Sequence, residues 1–188
     1  MNAGQTCIAV DYVVVQESVK DALLAAMTKE IGKRYPHAEK SDAYPSIINQ
    51  RHYDRLIGLM KTESSLIGGA VNAEKRRIAP TLMPEADFDH PIMEDEIFGP
   101  LLPIIAVKDM QNAVAHIKTL PNPLACYVFT ENKAVAEAVI ANLSFGGGCI
   151  NDTLLHVTNP NLPFGGVGNS GMGSYHGKAS FDAFSHKK

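Results

Sequence analysis

The chain has 188 residues, 45% of them hydrophobic and 20% charged, with a formal net charge of −3. That length suits one domain with a substantial core better than two. The faintly acidic balance excludes nucleic acid or an anionic membrane surface as an electrostatic partner. No run approaches the length of a membrane span, and the amino end lacks a charged-then-apolar signal segment. The three cysteines, Cys7, Cys126 and Cys149, are too widely spaced for a disulfide framework and imply a reducing, cytoplasmic setting. The histidines form no H-x-x-x-H pair and the cysteines no C-x-x-C pair, so no metal is expected.

Residues 1–6 form a polar, glycine-containing turn that ends on Cys7. Residues 8–15 are then a nearly continuous apolar run, which predicts a strand buried on both faces as in a parallel sheet. A thiol at the mouth of such a strand is placed for chemistry, although open α/β sheets favour the carboxyl ends of their strands. A cysteine by itself is equally a small packing residue. Gln16-Glu17-Ser18 supplies a turn and a helix cap, and Val19, Leu23, Met27 and Ile31 recur every fourth residue. That spacing predicts an amphipathic helix to about Gly32.

Residues 32–45 are polar, carry two prolines and read as a loop. A second helix is expected from near Ser46, burying Ile48, Leu56, Leu59 and Met60. Residues 65–69 and 77–82 read as strands at a sheet edge, because Pro80 cannot donate to a ladder. Strands are expected at 101–107, 124–130 and 147–151, separated by helices at 110–118 and 133–143. The last of these helices carries Val135, Val139 and Leu143 on one face. The alternation predicts an α/β fold, a largely parallel sheet flanked by helices and joined by right-handed crossovers. Residues 151–177 are rich in Gly, Asn, Ser, Pro and His. A loop-dense stretch of this length is either functional or a frayed carboxyl end. Phe164, Tyr175, Phe181 and Phe184 oppose disorder.

Gly166-Val167-Gly168-Asn169-Ser170-Gly171 fits the dinucleotide pattern G-x-G-x-x-G, which works only between a strand and a helix. Here Pro163 precedes it and only seventeen residues follow it, so it is set aside; its glycines suit close backbone packing or unusual φ values. Glu94-Asp95-Glu96 is read either as a solvated acidic face or as a carboxylate offered to a sugar hydroxyl, with Phe98 as a stacking wall.

Several motifs in one order resolve these alternatives. They are Asn2-Ala3-Gly4-Gln5-Thr6-Cys7, Glu96-Ile97-Phe98-Gly99-Pro100, the run from Leu162 to Gly173, and Tyr175-His176-Gly177-Lys178 with the closing Phe181-Asp182-Ala183-Phe184. Together they resemble the carboxyl-terminal half of an aldehyde dehydrogenase, over essentially all 188 residues. The tail resembles the class 3 branch, which takes fatty and aromatic aldehydes. Asn151-Asp152-Thr153-Leu154-Leu155-His156-Val157 resembles bacterial coniferyl aldehyde dehydrogenases.

The resemblance implies the catalytic domain of that fold over residues 1–188, with the cofactor-binding domain outside this chain. It implies Cys7 as the nucleophile, forming a thiohemiacetal and then a thioester with the aldehyde, and the Cys7 N–H as an oxyanion donor. Glu96 matches the residue that binds the nicotinamide ribose, Phe98 the aromatic wall beside the nicotinamide, and Phe164 a loop that shapes the aldehyde pocket. The resemblance also implies NAD or NADP as cofactor and a homodimer for the full-length protein. Asn151 and His156 lie near the pocket by analogy only, and Cys126 and Cys149 match no nucleophile position. In relatives the general base and the oxyanion-hole asparagine lie upstream, so the isolated chain is expected to be inactive. A non-catalytic remnant serving as an assembly domain, and a cysteine hydrolase using His156 as base, are the alternatives.

Overall fold

The computed structural model describes residues 1–186 and 188. They fall into two compact units, Met1–Met110 and Gln111–Lys188. In the first unit β1 (Val13–Gln16) leads directly into α1 (Glu17–Arg34), and α2 (Gln50–Met60) follows a turn-rich loop. The short strands β2 (Val71–Asn72) and β3 (Arg77–Ile78) pair antiparallel. β4 (Thr81–Met83) and β5 (Leu101–Val107) complete a parallel three-stranded sheet in the order β1-β5-β4.

The central strand β5 occupies the predicted residues, and its Leu101, Ile104 and Ile105 are buried. A proline inside a central strand normally breaks the ladder. Here β5 pairs with β4 over Leu101 to Pro103 and with β1 from Ile104 onward, so Pro103 sits where the ladder passes from one neighbour to the other.

The core of this unit gathers Ile47, Tyr53, Leu56, Met60, Ile78, Met83, Ile92, Ile97 and Leu101. Tyr53, Leu56 and Met60 are spaced to lie along one face of α2. That helix starts later than the sequence suggests. The Asn49 side chain accepts from the His52 N–H at 2.8 Å and caps it, and the Ile47 N–H donates to the Arg76 carbonyl instead of joining a helix. Ile47 therefore fills the core, while Ile48, expected to be buried, is 72% exposed.

Two further expectations are corrected. The apolar run 8–15 is strand only from Val13, because the chain turns at Thr6–Ala9 and Asp11 leaves the ladder to bind a distant N–H. α1 has the predicted length but begins without a side-chain cap, and none of its residues is fully buried.

The second unit comprises α3 (Met110–Ile117), most of which lies in it, β6 (Ala125–Val128), α4 (Lys133–Asn142), β7 (Gly147–Ile150) and α5 (Gly177–Ala183). β6 and β7 pair in parallel with α4 as their connection, and the Asn132 side chain caps α4 by accepting from the Ala134 and Val135 N–H groups. Ala136 is the buried residue of α4, and Val135 of the predicted stripe is exposed. Within this unit the expected strand-helix-strand crossover is realised at β6-α4-β7.

Leu56 is fully buried at the centre of the first core. Leu56→Ala is expected to lower stability by about 2–5 kcal/mol, measured by urea unfolding.

Candidate active site

The turn before Cys7 is held in an uncommon conformation. Asn2, Ala3 and Gly4 all have positive φ, at 49°, 51° and 75°. Left-handed backbone at non-glycine residues persists only where surrounding contacts enforce it. Those contacts come from Gln5, which is buried. Its amide nitrogen donates to the Asn2 carbonyl and to the Ser46 carbonyl, each at 3.1 Å, and its amide oxygen accepts from the Ile48 N–H at 2.9 Å. The Asn2 side chain donates back to the Gln5 carbonyl at 3.0 Å. The Ala9 N–H then closes a turn on the Thr6 carbonyl at 2.9 Å, which leaves Cys7 exposed at its apex. Cys126 and Cys149 are half-buried.

Gly4 brings this turn against the second motif. A Cβ on Gly4 would lie 2.1 Å from the Gly99 carbonyl oxygen, and a Cβ on Gly99 would lie 2.6 Å from both Leu56 methyls. Gly4 therefore requires glycine, while a side chain on Gly99 would have to displace Leu56. The motif containing the thiol and the motif Glu96-Ile97-Phe98-Gly99-Pro100 are thus in backbone contact.

Three side chains clamp the backbone of that second motif. Asp11 Oδ1 accepts from the Ile97 N–H at 2.9 Å. Arg55 donates from Nη2 to the Glu96 carbonyl at 3.2 Å and also to the Ile97 carbonyl. His52 Nε2 lies 2.7 Å from the Phe98 carbonyl, and since a carbonyl only accepts, Nε2 carries the proton. Nδ1 of the same ring is then the acceptor for Arg55 Nε at 3.3 Å. The clamp fixes alternating side chains: Glu96 is exposed, Ile97 enters the core and Phe98 is half-buried at a positive φ of 50°.

Electrostatics follow from this packing. Burial raises the Asp11 carboxyl above its usual range, opposed by the Ile97 N–H and by Arg55. Burial, and then the neighbouring Asp11 charge, raise the Glu96 carboxyl, again opposed by Arg55.

Cys7, Glu96 and Phe98 therefore lie in the first unit. Phe164 lies in the second, where it exchanges backbone hydrogen bonds with Tyr175 at 2.7 and 2.9 Å. The glycines set aside as a dinucleotide motif sit inside that closed loop. A Cβ on Gly165 would meet the Gly173 carbonyl at 2.1 Å, one on Gly166 the Ser170 carbonyl at 2.1 Å, and the segment Gly168–Ser170 is a single 3-10 turn. Asn151 clasps Thr130, accepting from its N–H at 2.9 Å and donating to its carbonyl at 3.0 Å. Among the described residues no group of three His, Cys, Asp or Glu side chains is placed to hold a metal ion, and no helix is long and apolar enough to cross a membrane.

Sequence reasoning missed Asp11, His52 and Arg55. A single acid inside an apolar run was a usable signal for Asp11. His52 and Arg55 act on backbone carbonyls, which leave no trace in sequence.

The family model for the aldehyde dehydrogenase family matches residues 1–188, and the chain belongs to that family. It is 49% identical over 190 residues to the 4,4'-diaponeurosporen-aldehyde dehydrogenase of Staphylococcus aureus, covering 100% of this chain and 41% of that protein. It is 43% identical to the dimeric NADP-preferring aldehyde dehydrogenase of Rattus norvegicus, covering 100% of this chain and 42% of the relative. The structure of Staphylococcus aureus AldH in a substrate-bound state superposes with a TM-score of 0.95 at 48% identity, over 99% of this chain and 41% of that one. The chain thus spans about two fifths of the length of these relatives.

Because the folded Asp11 carboxyl is raised, the folded state holds its proton more tightly than the unfolded chain. This contribution is full at low pH and is lost as pH rises from about 4 through the raised value. Asp11→Asn keeps an oxygen for the Ile97 N–H, so a shallower fall of stability across that window is expected in urea unfolding at stepped pH.

Proposed function

We propose that residues 1–188 are the catalytic-domain portion of an NAD(P)-dependent aldehyde dehydrogenase that oxidises an aromatic or fatty aldehyde to its acid. The observation that carries this reading is the exposed Cys7 turn, locked through Gly4 and Gly99 onto the segment that bears Glu96 and Phe98.

The Cys7 thiolate adds to the aldehyde carbon, and the Cys7 N–H donates a hydrogen bond to the resulting oxyanion. Bound NAD or NADP supplies the hydride acceptor. The thioester then left on Cys7 is hydrolysed by water, which releases the acid and restores the thiol. The donor set suits a nicotinamide ribose: Glu96 offers an exposed carboxylate, acceptor-only when ionised, to its hydroxyls, and Phe98 offers an aromatic wall. Asp11, His52 and Arg55 hold the backbone beneath both residues. Phe164 shapes the aldehyde pocket.

An aldehyde substrate agrees with a relative named for 4,4'-diaponeurosporen-aldehyde, and coniferaldehyde is proposed from the resemblance carried by residues 151–157. A homodimer agrees with relatives named dimeric, and a cytoplasmic setting agrees with three free thiols. The remaining sequence of the relatives is proposed to supply the general base, the second oxyanion donor and most of the cofactor site, so the chain alone is expected not to turn over.

Mixing the chain with the amino-terminal portion of a relative is expected to give aldehyde-dependent reduction of NAD or NADP. Cys7→Ser is expected to lower that rate by about 10³-fold or more. Full NAD-linked oxidation of benzaldehyde by the chain alone would overturn the proposed division of labour. Activity that survives Cys7→Ser would overturn the mechanism. No recovered activity in any mixture favours a non-catalytic assembly domain.

A further inference from the structure

Between β7 and α5, Phe164 is stacked on two imidazoles. Its ring centroid lies 6.2 Å from that of His156 at an interplanar angle of 28°, and 5.6 Å from that of His176 at 21°. The backbone of Phe164 is also fixed, through its paired hydrogen bonds to Tyr175. The orientation of its side chain is a separate matter, and it depends on what the neighbouring rings rest against.

His156 rests on the β6–β7 pair. A Cβ on Gly147 would lie 2.9 Å from His156 Cδ2, so the bare backbone of β7 makes the seat for the ring. Nδ1 of His156 lies 3.8 Å from the Cys149 sulfur, and the Tyr127 ring lies 5.9 Å away at 54°. Tyr127 and Cys149 are register partners on adjacent strands, so they present their side chains to the same face of the pair. Nε2 of His156 is buried and has no hydrogen-bond partner. Burial lowers the pKa of the imidazole, which favours its neutral form. A buried ring nitrogen left unpaired is costly for a residue used only as filler. An apolar side chain of similar volume would fill the slot without that cost, but it would not present a flat face to Phe164.

We propose that His156 is a positioning residue for the aldehyde pocket: seated on Gly147, Tyr127 and Cys149, its ring sets the plane of Phe164. The inference rests on the reading of Phe164 as a pocket wall, and it gives that wall a selectivity. A planar aryl aldehyde senses the tilt of the Phe164 ring, and a short alkyl aldehyde does not.

The test places para-fluorophenylalanine at position 164 of the 188-residue chain and reads its fluorine NMR resonance. His156→Leu fills the slot without an aromatic face, and is expected to move the resonance downfield by more than its linewidth. His156→Phe restores a ring and is expected to bring it back upfield. A resonance that His156→Leu leaves in place, or that His156→Phe fails to bring back, overturns the proposal. In the mixed dehydrogenase assay, His156→Leu is expected to raise the KM for benzaldehyde about two- to tenfold, the range spanned by one aromatic pair. The KM for NAD(P) and for propanal should stay unchanged. A rise common to both aldehydes would make His156 merely structural and overturn the selectivity. Phe164→Ala separates the two readings: an unaltered benzaldehyde KM withdraws the pocket wall, whereas the fluorine measurement judges the stack independently.

Discussion

The contact between Gly4 and Gly99 is the constraint on which the first unit's chemistry depends. Two backbone segments meet there, and a Cβ on Gly4 would run into the Gly99 carbonyl. On one side lies a left-handed turn that raises Cys7 into solvent; on the other lies a segment that turns out Glu96 and tucks in Ile97. Gly99 is at the same time seated on Leu56, so the core reaches the site through one residue. Distances within the site therefore depend on how α2 packs. A loss of core volume at Leu56 would be felt at the backbone beside the thiol as well as in stability.

α2 serves both ends of that relation. Tyr53, Leu56 and Met60 bind it to the core, while His52 and Arg55, on an adjoining face, grip the carbonyls of Glu96, Ile97 and Phe98. Backbone carbonyls are good targets for such a clamp because they remain acceptors at every pH. The charged groups around them do not have that constancy. Burial raises the Asp11 carboxyl, partial burial and then the Asp11 charge raise that of Glu96, and Arg55 opposes the rise at both. A cation held against carbonyls beside two acids thus stiffens the segment and moderates its charge.

How much of this was legible in the sequence varied with the kind of signal. β5 was predicted to the residue because a continuous apolar run in a central strand has few other readings. The run before it, 8–15, carried the same signal but is strand only from Val13, since apolar residues are buried equally well outside a ladder when they pack on a core; Ile8 is 3% exposed and lies outside any strand. The start of α2 was misplaced because the hydrogen bond from Ile47 to Arg76 is set by tertiary structure, not by helix propensity. At the candidate site, Cys7, Glu96 and Phe98 were singled out through the family resemblance of their motifs, and composition alone left each ambiguous. His52 and Arg55 were invisible, because the i, i+3 spacing that brings them together is shared by ordinary exposed helix residues. The glycines at 165, 166 and 173 matched a pattern whose physical context was missing, and their use in a closed loop shows why context outranks spelling.

The hydrogen bond from Ile97 to Asp11 joins residues 86 apart in the chain, and among the described residues β1 pairs only with β5. Neither the sheet nor the clamp can form until nearly the whole first unit has been made. Closing so large a loop is slow compared with local helix formation. At a synthesis rate of about 5–20 residues per second, the ribosome needs on the order of 5–20 s to travel from Cys7 to the end of β5. During that interval the thiol is carried on a chain that has closed neither its sheet nor its clamp, open to any oxidant or electrophile nearby. A newborn molecule that loses its thiol in this way would still fold normally, since Cys7 contributes nothing to the core.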